Sequence, residues 1–480
     1  MLRMQVQFDK PLRRWDGFGI NYVEIAQTDD YERYPQDYGG LSTLAEEDRQ
    51  AVLDAIFGED GLQPTLVKMF FGPFMQAQPL GETTDAKPNG QQLLVDLDHY
   101  DHTTTTPWMR YFVQEGLRRT RERGEDLKIV TTMYAPPAFM TKQGFLRGRD
   151  LDPQYLWECA KYMAAWVKYL RDVESLPVTA LSLHNEGEDH ARWPEDADDP
   201  NFGPGHDYNL YWPPELLVEM LPIVRQVLDA NGLSDVLVAP GETTNWYRFD
   251  QWGYAAAIAD DPAALDALGL ISSHGFLTFN KNRWFADTRS VGNDLLRQAK
   301  PGLHSWVTSI AWGDMDVHFL EQYRHNIYSV KVNGLIPWAC MQNPEQWHRG
   351  DPNPGTAFRI DGKGGWQQLP GYDFYKQVCR WARPGMDVAQ VSSNDTQLGV
   401  LAFASGQHAT APDVFVVLNT STEAKTAAVA LTGTEHKQFC VYRTTPDSGY
   451  QMVETVSTSD GALRYDFPAE SATTFVGCEG

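Results

Sequence analysis

Short apolar or β-branched runs alternate with helix-like segments from about residue 15 to residue 383. In the helix-like segments apolar residues recur three and four positions apart, as on the buried face of a helix. Thr43–Phe57, Pro153–Leu170 and Pro214–Ala230 show this spacing. Strands alternating with helices favour the α/β class and a (β/α)₈ TIM barrel. The eight predicted strands are Gly17–Val23, Thr65–Phe71, Leu127–Tyr134, Val178–Leu183, Asp235–Ala239, Leu268–Ser273, His304–Ile310 and Gly334–Trp338.

The pattern changes after Arg383-Pro-Gly385, where helical periodicity gives way to short alternating runs separated by turn residues. Alternation with regular turns is typical of an antiparallel β-sandwich. We therefore predict a catalytic barrel over residues 15–383 and a β-sandwich domain over 384–480, with residues 1–14 supplying a strand to the sandwich. A doubly wound open sheet is the alternative for the barrel region, but no Gly-rich phosphate loop follows the first strand.

The composition of this 480-residue chain limits the binding partners that can be expected for it. A net charge of −24 repels nucleic acid and anionic membranes, so neither is an expected partner. The five cysteines lie far apart, which argues against a disulfide framework and against a cysteine-based metal site. The N-terminus has no long apolar stretch, so a cytoplasmic location is expected unless a leader has been removed. The oligomeric state stays open.

Candidate chemistry lies where the predicted strands end, because functional groups of such barrels cluster at the carboxyl ends of the strands. The fourth strand ends in Asn185 and Glu186, which pair an amide donor with a carboxylate. Polar and aromatic residues end other strands as well. They are Asn21, Glu24, Lys68, Tyr134, Glu242, Trp246, His274, Trp312, Asp314 and Trp338.

Hydrolysis of a glycosidic bond needs two carboxyl groups, about 5 Å apart when one of them is a nucleophile. Glu186 is the candidate acid. The second group is expected from a strand across the mouth, and the seventh strand is the natural source. Its end carries Ala311, followed by Trp312-Gly-Asp314, so no acid stands at the expected position.

The order of several motifs resembles glycoside hydrolase family 30, over nearly the whole chain. Asp16-Gly-Phe-Gly19 resembles the family's entry to the barrel, and Ala135-Pro-Pro-Ala-Phe-Met140 resembles its Ser-Pro-Pro-x-x-Met segment. Arg383-Pro-Gly385 matches the exit from the barrel, and residues 468–477 resemble the end of the sandwich. None of these motifs is decisive alone; their order and spacing together are specific.

The resemblance implies a retaining β-glycosidase without cofactor or metal. Glu186 would be the acid/base, and Asn185 would contact the 2-hydroxyl of the sugar. Lys68 stands where the family usually has Arg, which keeps the charge but loses the planar fork. His274 would orient the nucleophile, and Trp338 would form the floor of the sugar subsite.

Two departures from the family pattern matter. Asn-Glu-Gly187 replaces Asn-Glu-Pro, and Ala311 stands where the family's nucleophilic Glu is expected. Three explanations remain open: an engineered variant that lacks its nucleophile, a natural barrel that binds carbohydrate without catalysis, or a nucleophile from another acid. The candidates for that acid are Asp314, Glu242 and Glu24. A lyase or a metal-dependent hydrolase is a further rival, and it would need a bound metal or cofactor.

Two long segments follow predicted barrel strands, residues 186–213 and 342–370. Long loops at this face usually build walls, and walls make a pocket that favours cleavage at a chain end. We therefore expect an exo-acting enzyme for small β-linked glycosides or short oligosaccharides. Within the first loop, Glu188 and Asp189 are expected to be solvated charges.

Overall fold

A computed structural model describes residues 2–25, 35–81, 92–192, 208–276, 289–310, 315–346, 355–406 and 410–479. Eight parallel strands form one sheet, which confirms the predicted (β/α)₈ architecture. The sheet is nearly closed, because Val238 forms a parallel bridge to Leu268 and accepts a 2.8 Å hydrogen bond from the Gly269 amide. The strands, in chain order, are β2 (Gly17–Asn21), β3 (Leu66–Phe71), β4 (Lys128–Met133), β5 (Val178–Ser182), β6 (Leu237–Ala239), β7 (Leu270–Ser273), β8 (His304–Ile310) and β9 (Gly334–Pro337).

Helices lie between the strands, as the periodicity predicted. The first starts later than expected because Leu41–Thr43 forms a 3₁₀ turn. A 3₁₀ turn at Pro153–Tyr155 likewise precedes the third helix. The helices are α1 (Glu46–Phe57), α2 (Pro107–Glu122), α3 (Leu156–Asp172), α4 (Pro214–Ala230), α5 (Trp246–Gln251), α6 (Tyr254–Asp260), α7 (Pro262–Ala267), α8 (Val291–Ala299), α9 (Val317–His325) and α10 (Pro370–Cys379). A π-helical turn, Asn326–Val330, continues α9.

An apolar cluster fills part of the barrel interior, with side chains from seven of the eight strands. All are buried, so this part of the barrel is a packed core and leaves chemistry to the strand ends. Its members are Leu66, Val130, Ala180, Ala239, Leu270, Trp306 and Ile336.

A buried acid, Asp16, lies at the amino-terminal end of the barrel strands. Its carboxylate accepts hydrogen bonds from His304 Nδ1 at 2.6 Å and Trp306 Nε1 at 2.8 Å. It also pairs with Lys128 Nζ at 2.9 Å. Burial alone would raise the pKa of Asp16, but the bond from His304, the charge of Lys128 and the bond from Trp306 together lower it. Asp16 thus holds together Lys128 at the start of β4 and His304 at the start of β8.

This charge predicts an acid-sensitive contribution to stability. Because the folded pKa of Asp16 is lowered, its contribution is complete above the unfolded value of about 4 and is lost as the pH falls through the folded pKa. Asp16→Asn should cost about 1–3 kcal/mol at pH 7 and much less in acid. Urea midpoints of both proteins, measured from pH 7 down to 3, check this. A constant difference across that range would contradict it.

The C-terminal domain is a nine-stranded sheet with the order β18-β17-β20-β15-β14-β13-β1-β16-β19. The N-terminal strand pairs antiparallel with β13 and parallel with β16, which makes the sheet mixed. The ends of the sheet approach each other, since Tyr465 of β19 donates a 2.8 Å hydrogen bond to Glu454 of β18. The strands are β1 (Leu2–Arg14), β13 (Asp387–Ser393), β14 (Leu398–Ala404), β15 (Val414–Asn419), β16 (Lys425–Thr432), β17 (Gln438–Thr445), β18 (Ser448–Ser457), β19 (Ala462–Phe467) and β20 (Ser471–Cys478).

The curled sheet encloses its own apolar core, which includes Val6, Phe415 and Phe475. Phe415 and Phe475 stack with ring centroids 4.4 Å apart. A small third sheet follows the barrel and contains β10 (Met341–Gln342), β11 (Phe358–Ile360) and β12 (Trp366–Gln368). Among the described residues, none of the helices is long and apolar enough to span a membrane.

Candidate active site

Backbone hydrogen bonds carry the parallel pairing past the ends of β5, β6 and β7. The Glu242 amide donates to His184 O at 2.8 Å, and the Glu186 amide donates to Glu242 O at 2.7 Å. The His274 amide donates to Thr243 O at 2.8 Å. These bonds fix three titratable side chains, those of Glu186, Glu242 and His274, next to one another at the carboxyl ends of the strands.

Glu186 is the acid of this group that solvent reaches, with 13% of its side chain exposed. His274 Nδ1 lies 3.0 Å from Glu186 Oε1, and Arg192 Nη1 donates to Oε2 at 2.8 Å. Burial alone would raise the pKa of Glu186, but the Arg192 guanidinium and the His274 ring hold it far below its ordinary value. In the absence of substrate Glu186 is therefore a carboxylate.

Glu242 is fully buried and forms an ion pair with Lys68. Thr132 Oγ1 donates to its Oε1 at 2.7 Å, and His274 Nε2 lies 3.2 Å from its Oε2. Burial acts to raise the pKa of Glu242, whereas Lys68 and His274 outweigh it and lower the pKa to about 2. Glu242 is thus the ionised partner of Lys68 at the carboxyl ends of the barrel strands.

Lys68 and Asn21 converge on Ser309 near the end of β8. Lys68 Nζ donates to Ser309 Oγ at 2.9 Å and to Asn185 Oδ1 at 3.3 Å. Asn21 Nδ2 donates to the same Ser309 oxygen at 3.1 Å. Lys68 therefore links Asn185, which follows β5, with Ser309 in β8.

Ser309 and Glu186 share an unusual backbone conformation. Their φ angles are 78° and 53°, in the left-handed region that non-glycine residues rarely adopt. At Ser309 the pairing of β8 with β9 also shifts register, as at a β-bulge. Strained backbone conformations of this kind are common at functional sites, and a β-bulge changes the direction in which a strand's side chain points. The backbone is thus distorted both at Glu186, just after β5, and at Ser309, near the end of β8.

The predicted aromatic residues occupy two places. Tyr134 is buried and stacks on Phe70 with ring centroids 4.3 Å apart. Half-buried Trp338 packs edge-to-face with the same ring, with centroids 5.9 Å apart. The Lys68 ammonium lies 4.5 Å from the centre of the same Phe70 ring, so both residues adjoin the charged cluster. Trp246 is buried, and its Nε1 donates at 2.9 Å to Asn326 Oδ1, whose side-chain amide in turn donates to Gly275 O at 3.1 Å, directly after His274.

The structure thus brings six predicted residues into one cluster: Asn21, Lys68, Asn185, Glu186, Glu242 and His274. Ala311, Trp312 and Asp314 lie outside the described residues, so their predicted roles stay predictions. Glu24, an alternative acid, accepts a 2.8 Å hydrogen bond from the Met109 amide in α2. Burial and the charge of Asp37 raise the pKa of Glu24 well above the ordinary value, which favours its protonated form.

Sequence reasoning missed Arg192, Thr132 and Ser309. Arg192 ends a 3₁₀ turn, His190–Arg192, and its pairing with Glu186 has no local sequence signal. Thr132 points inward from β4 and could have been found by continuing the strand alternation. The expectation for Glu188 was wrong: it is buried, and its Oε1 accepts hydrogen bonds from Arg248 at 2.9 Å and Thr244 Oγ1 at 2.7 Å.

Within the described ranges no group of three or more His, Cys, Asp or Glu is arranged to hold a metal ion. The cluster instead alternates basic and acidic side chains, in the order Arg192, Glu186, His274, Glu242 and Lys68. Such an arrangement can move a proton between neighbouring groups and can stabilise charge in a substrate.

Comparison with known proteins gives a structural match without a sequence match. No family model and no curated protein matches the chain. A family 30 endoxylanase from Clostridium papyrosolvens C71 is 17% identical with a TM-score of 0.67, over 99% of this chain and 100% of that one. A family 30 xylanase C catalytic domain from Talaromyces cellulolyticus is 15% identical with a TM-score of 0.73, over the same shares.

An endo-β-1,6-glucanase is 15% identical with a TM-score of 0.67, over all of this chain and 94% of that one. These likenesses show that the chain has the fold of the family 30 glycoside hydrolases, with the barrel and the β-rich domain together.

Proposed function

We propose that this chain is a retaining glycoside hydrolase that acts on β-linked glycosides, with Glu186 as its acid/base. The observation that carries the proposal is the position of Asn185 and Glu186 directly after β5. There Glu186 is partly exposed at the carboxyl ends of the strands, where barrel enzymes place their catalytic groups. The shared fold with xylanases and a glucanase supports the same reaction class.

In this mechanism Glu186 first gives a proton to the leaving oxygen, while a carboxylate attacks the anomeric carbon. The ionised form of Glu186 then takes a proton from the water that releases the sugar. Lys68 Nζ donates to the side-chain oxygen of Asn185, and Asn185 contacts the 2-hydroxyl of the sugar in this mechanism. The nucleophile belongs at the end of β8, where the sequence predicts position 311 and a Glu in place of Ala.

Exo-action on short β-linked substrates is part of the proposal. It rests on the length of the loops after β5 and β9, whose central parts lie outside the described residues. Release of single sugars from the end of a labelled oligosaccharide would support it. Release of mid-chain fragments as the first products would contradict it.

The experiment that tests the function is hydrolysis of a panel of aryl β-glycosides by the chain and by its Ala311→Glu and Ser309→Glu variants. We expect one sugar to respond in a variant that carries the second carboxylate. Glu186→Gln added to that variant should cost about a hundredfold, because an aryl leaving group needs only part of the proton transfer. Glu215→Gln, a substitution in α4, is the matched control. Equal rates for the active protein with and without Glu186→Gln would show that Glu186 takes no part in the reaction.

Carbohydrate binding without catalysis is the second candidate. It is favoured by the uncharged Ser309 near the end of β8 and by the enclosure of Glu242 in its ion pair with Lys68. This function predicts saturable binding of a β-glycoside by calorimetry, with no hydrolysis of any panel member.

A further inference from the structure

His274 has a carboxylate at each ring nitrogen. Nδ1 lies 3.0 Å from Glu186 Oε1, and Nε2 lies 3.2 Å from Glu242 Oε2. A neutral imidazole has one N–H and one lone pair, so it can donate to only one of them and would repel the other. An imidazolium donates to both. The two contacts therefore favour the charged ring, even though only 2% of the side chain is exposed.

The charges around the ring come from several elements. The carboxylates follow β5 and β6, while the cations Lys68 and Arg192 come from β3 and from the 3₁₀ turn at 190–192. His184, which precedes Asn185, is buried beside them. Burial and the positive charge of Lys68 oppose protonation of His274, but the bonds to the two carboxylates prevail and raise its pKa. Burial lowers the pKa of His184 to about 3, which keeps that ring neutral.

Glu186 in contrast has no proton of its own to give. Both of its oxygens accept from cationic groups, Oε1 from His274 and Oε2 from Arg192, and a carboxyl group in this state is an acceptor. The proton next to Glu186 Oε1 is the one on His274 Nδ1, 3.0 Å away.

We propose that His274 stores the proton that Glu186 passes to the leaving oxygen. This inference rests on the proposed function. When the leaving oxygen begins to take up charge, the bond from Nδ1 to its hydrogen breaks and a bond from Glu186 to that hydrogen forms. Glu186 passes the proton on as the bond between the anomeric carbon and the leaving oxygen breaks, and that electron pair stays on the oxygen.

The ring stays neutral at this stage and keeps its Nε2–H donated to Glu242. In the second half of the reaction Glu186 takes a proton from the attacking water and returns it to Nδ1. One proton enters and one leaves, so no other reactant is needed. Glu242 acts here as a positioning residue, because its bond to Nε2 fixes the tautomer that accepts at Nδ1.

The first test is an NMR spectrum of the whole chain with ¹⁵N-labelled histidine, which needs no activity. At pH 7 we expect both ring nitrogens of His274 to carry protons, whereas His184 in the same spectrum should have one. His274→Gln identifies the signals. Glu186→Gln should move the titration of His274 to lower pH, because it removes one of the two anionic partners. A singly protonated His274 at pH 7 would overturn the inference.

The second test separates proton delivery from a structural role through the leaving group. In whichever protein hydrolyses glycosides, the chain itself or its Ala311→Glu or Ser309→Glu variant, His274→Gln should lower kcat/KM about a hundredfold for an alkyl β-glycoside. The leaving oxygen of an alkyl glycoside must be protonated, so the loss should be much smaller for a nitrophenyl glycoside. His318→Gln, an exposed histidine on α9, is the control. Equal losses on both substrates would assign His274 a structural role only. If neither the chain nor its Ala311→Glu and Ser309→Glu variants hydrolyse any glycoside, the proposed function fails and proton delivery with it, whereas a neutral His274 in an active enzyme overturns the inference alone.

Discussion

A carboxylate at the end of β8 should raise the hydrolysis of aryl β-glycosides by on the order of 10⁴-fold. The gain mirrors the loss that other enzymes suffer when their nucleophile is deleted. A retaining glycosidase needs two carboxyl groups about 5 Å apart, and in the proposed mechanism Glu186 supplies one of them. The new group would attack the anomeric carbon and stabilise the positive charge that develops on the ring.

Two substitutions compete for this position. The sequence predicts Ala311→Glu, whereas the strained bulge and the converging hydrogen bonds favour Ser309→Glu. Ser309 Oγ already accepts from Lys68 and Asn21, the donors that a carboxylate there would use. Both variants should be assayed on the same panel, and the responding one identifies the nucleophile position.

Matched controls are Ala311→Gln and Ser309→Gln, which add similar volume without charge. Circular dichroism shows whether each variant is folded. If both Glu variants are folded and bind the glycoside but neither gains activity, the chain is a carbohydrate-binding protein or uses another acid.

Lys68→Met should destabilise the protein by about 3–5 kcal/mol. Lys68 and Glu242 form a fully buried ion pair, and removal of Lys68 deprives the buried Glu242 carboxylate of its closest cation. Lys68→Met combined with Glu242→Gln should recover much of the loss, because the double variant has no buried charge left unpaired at this place. Denaturation in urea, followed by tryptophan fluorescence, measures both.

The control for this prediction is Lys331→Met. Lys331 pairs with Asp294 at 2.7 Å, but both side chains are nearly half exposed, so its loss should cost under about 1 kcal/mol. A Lys68→Met variant as stable as Lys331→Met would mean that the buried pair contributes little. Failure of the double variant to recover would point to lost packing around Phe70 instead.

The barrel could be predicted because its signals are local. Each strand is a short apolar run bounded by turns, and Glu186 follows such a run directly. The contacts that define the site are not local. Lys68 meets Glu242 and Ser309 across 174 and 241 positions of the chain, and no spacing rule encodes those pairs.

Ser309 shows a second limit of sequence reasoning. A regular strand would continue its alternation to position 311, but a bulge changes the register without any marker residue such as glycine. The buried Glu188 shows a third limit. It lies in a charged stretch that looks solvated, and only the folded chain brings Arg248 beside it.

The position of β1 also determines when the sheet of the C-terminal domain can assemble during synthesis. In the finished sheet β1 lies between β13 and β16, so it has no partner strand there until synthesis of the chain has passed Asp387–Ser393. Without β1 the other eight strands of the sheet divide into a group of six and a pair. Fragments cut at the boundary after the barrel would therefore each contain an incomplete sheet edge. Joining residues 2–14 to the C-terminal domain through a new linker is the logical way to produce that domain on its own.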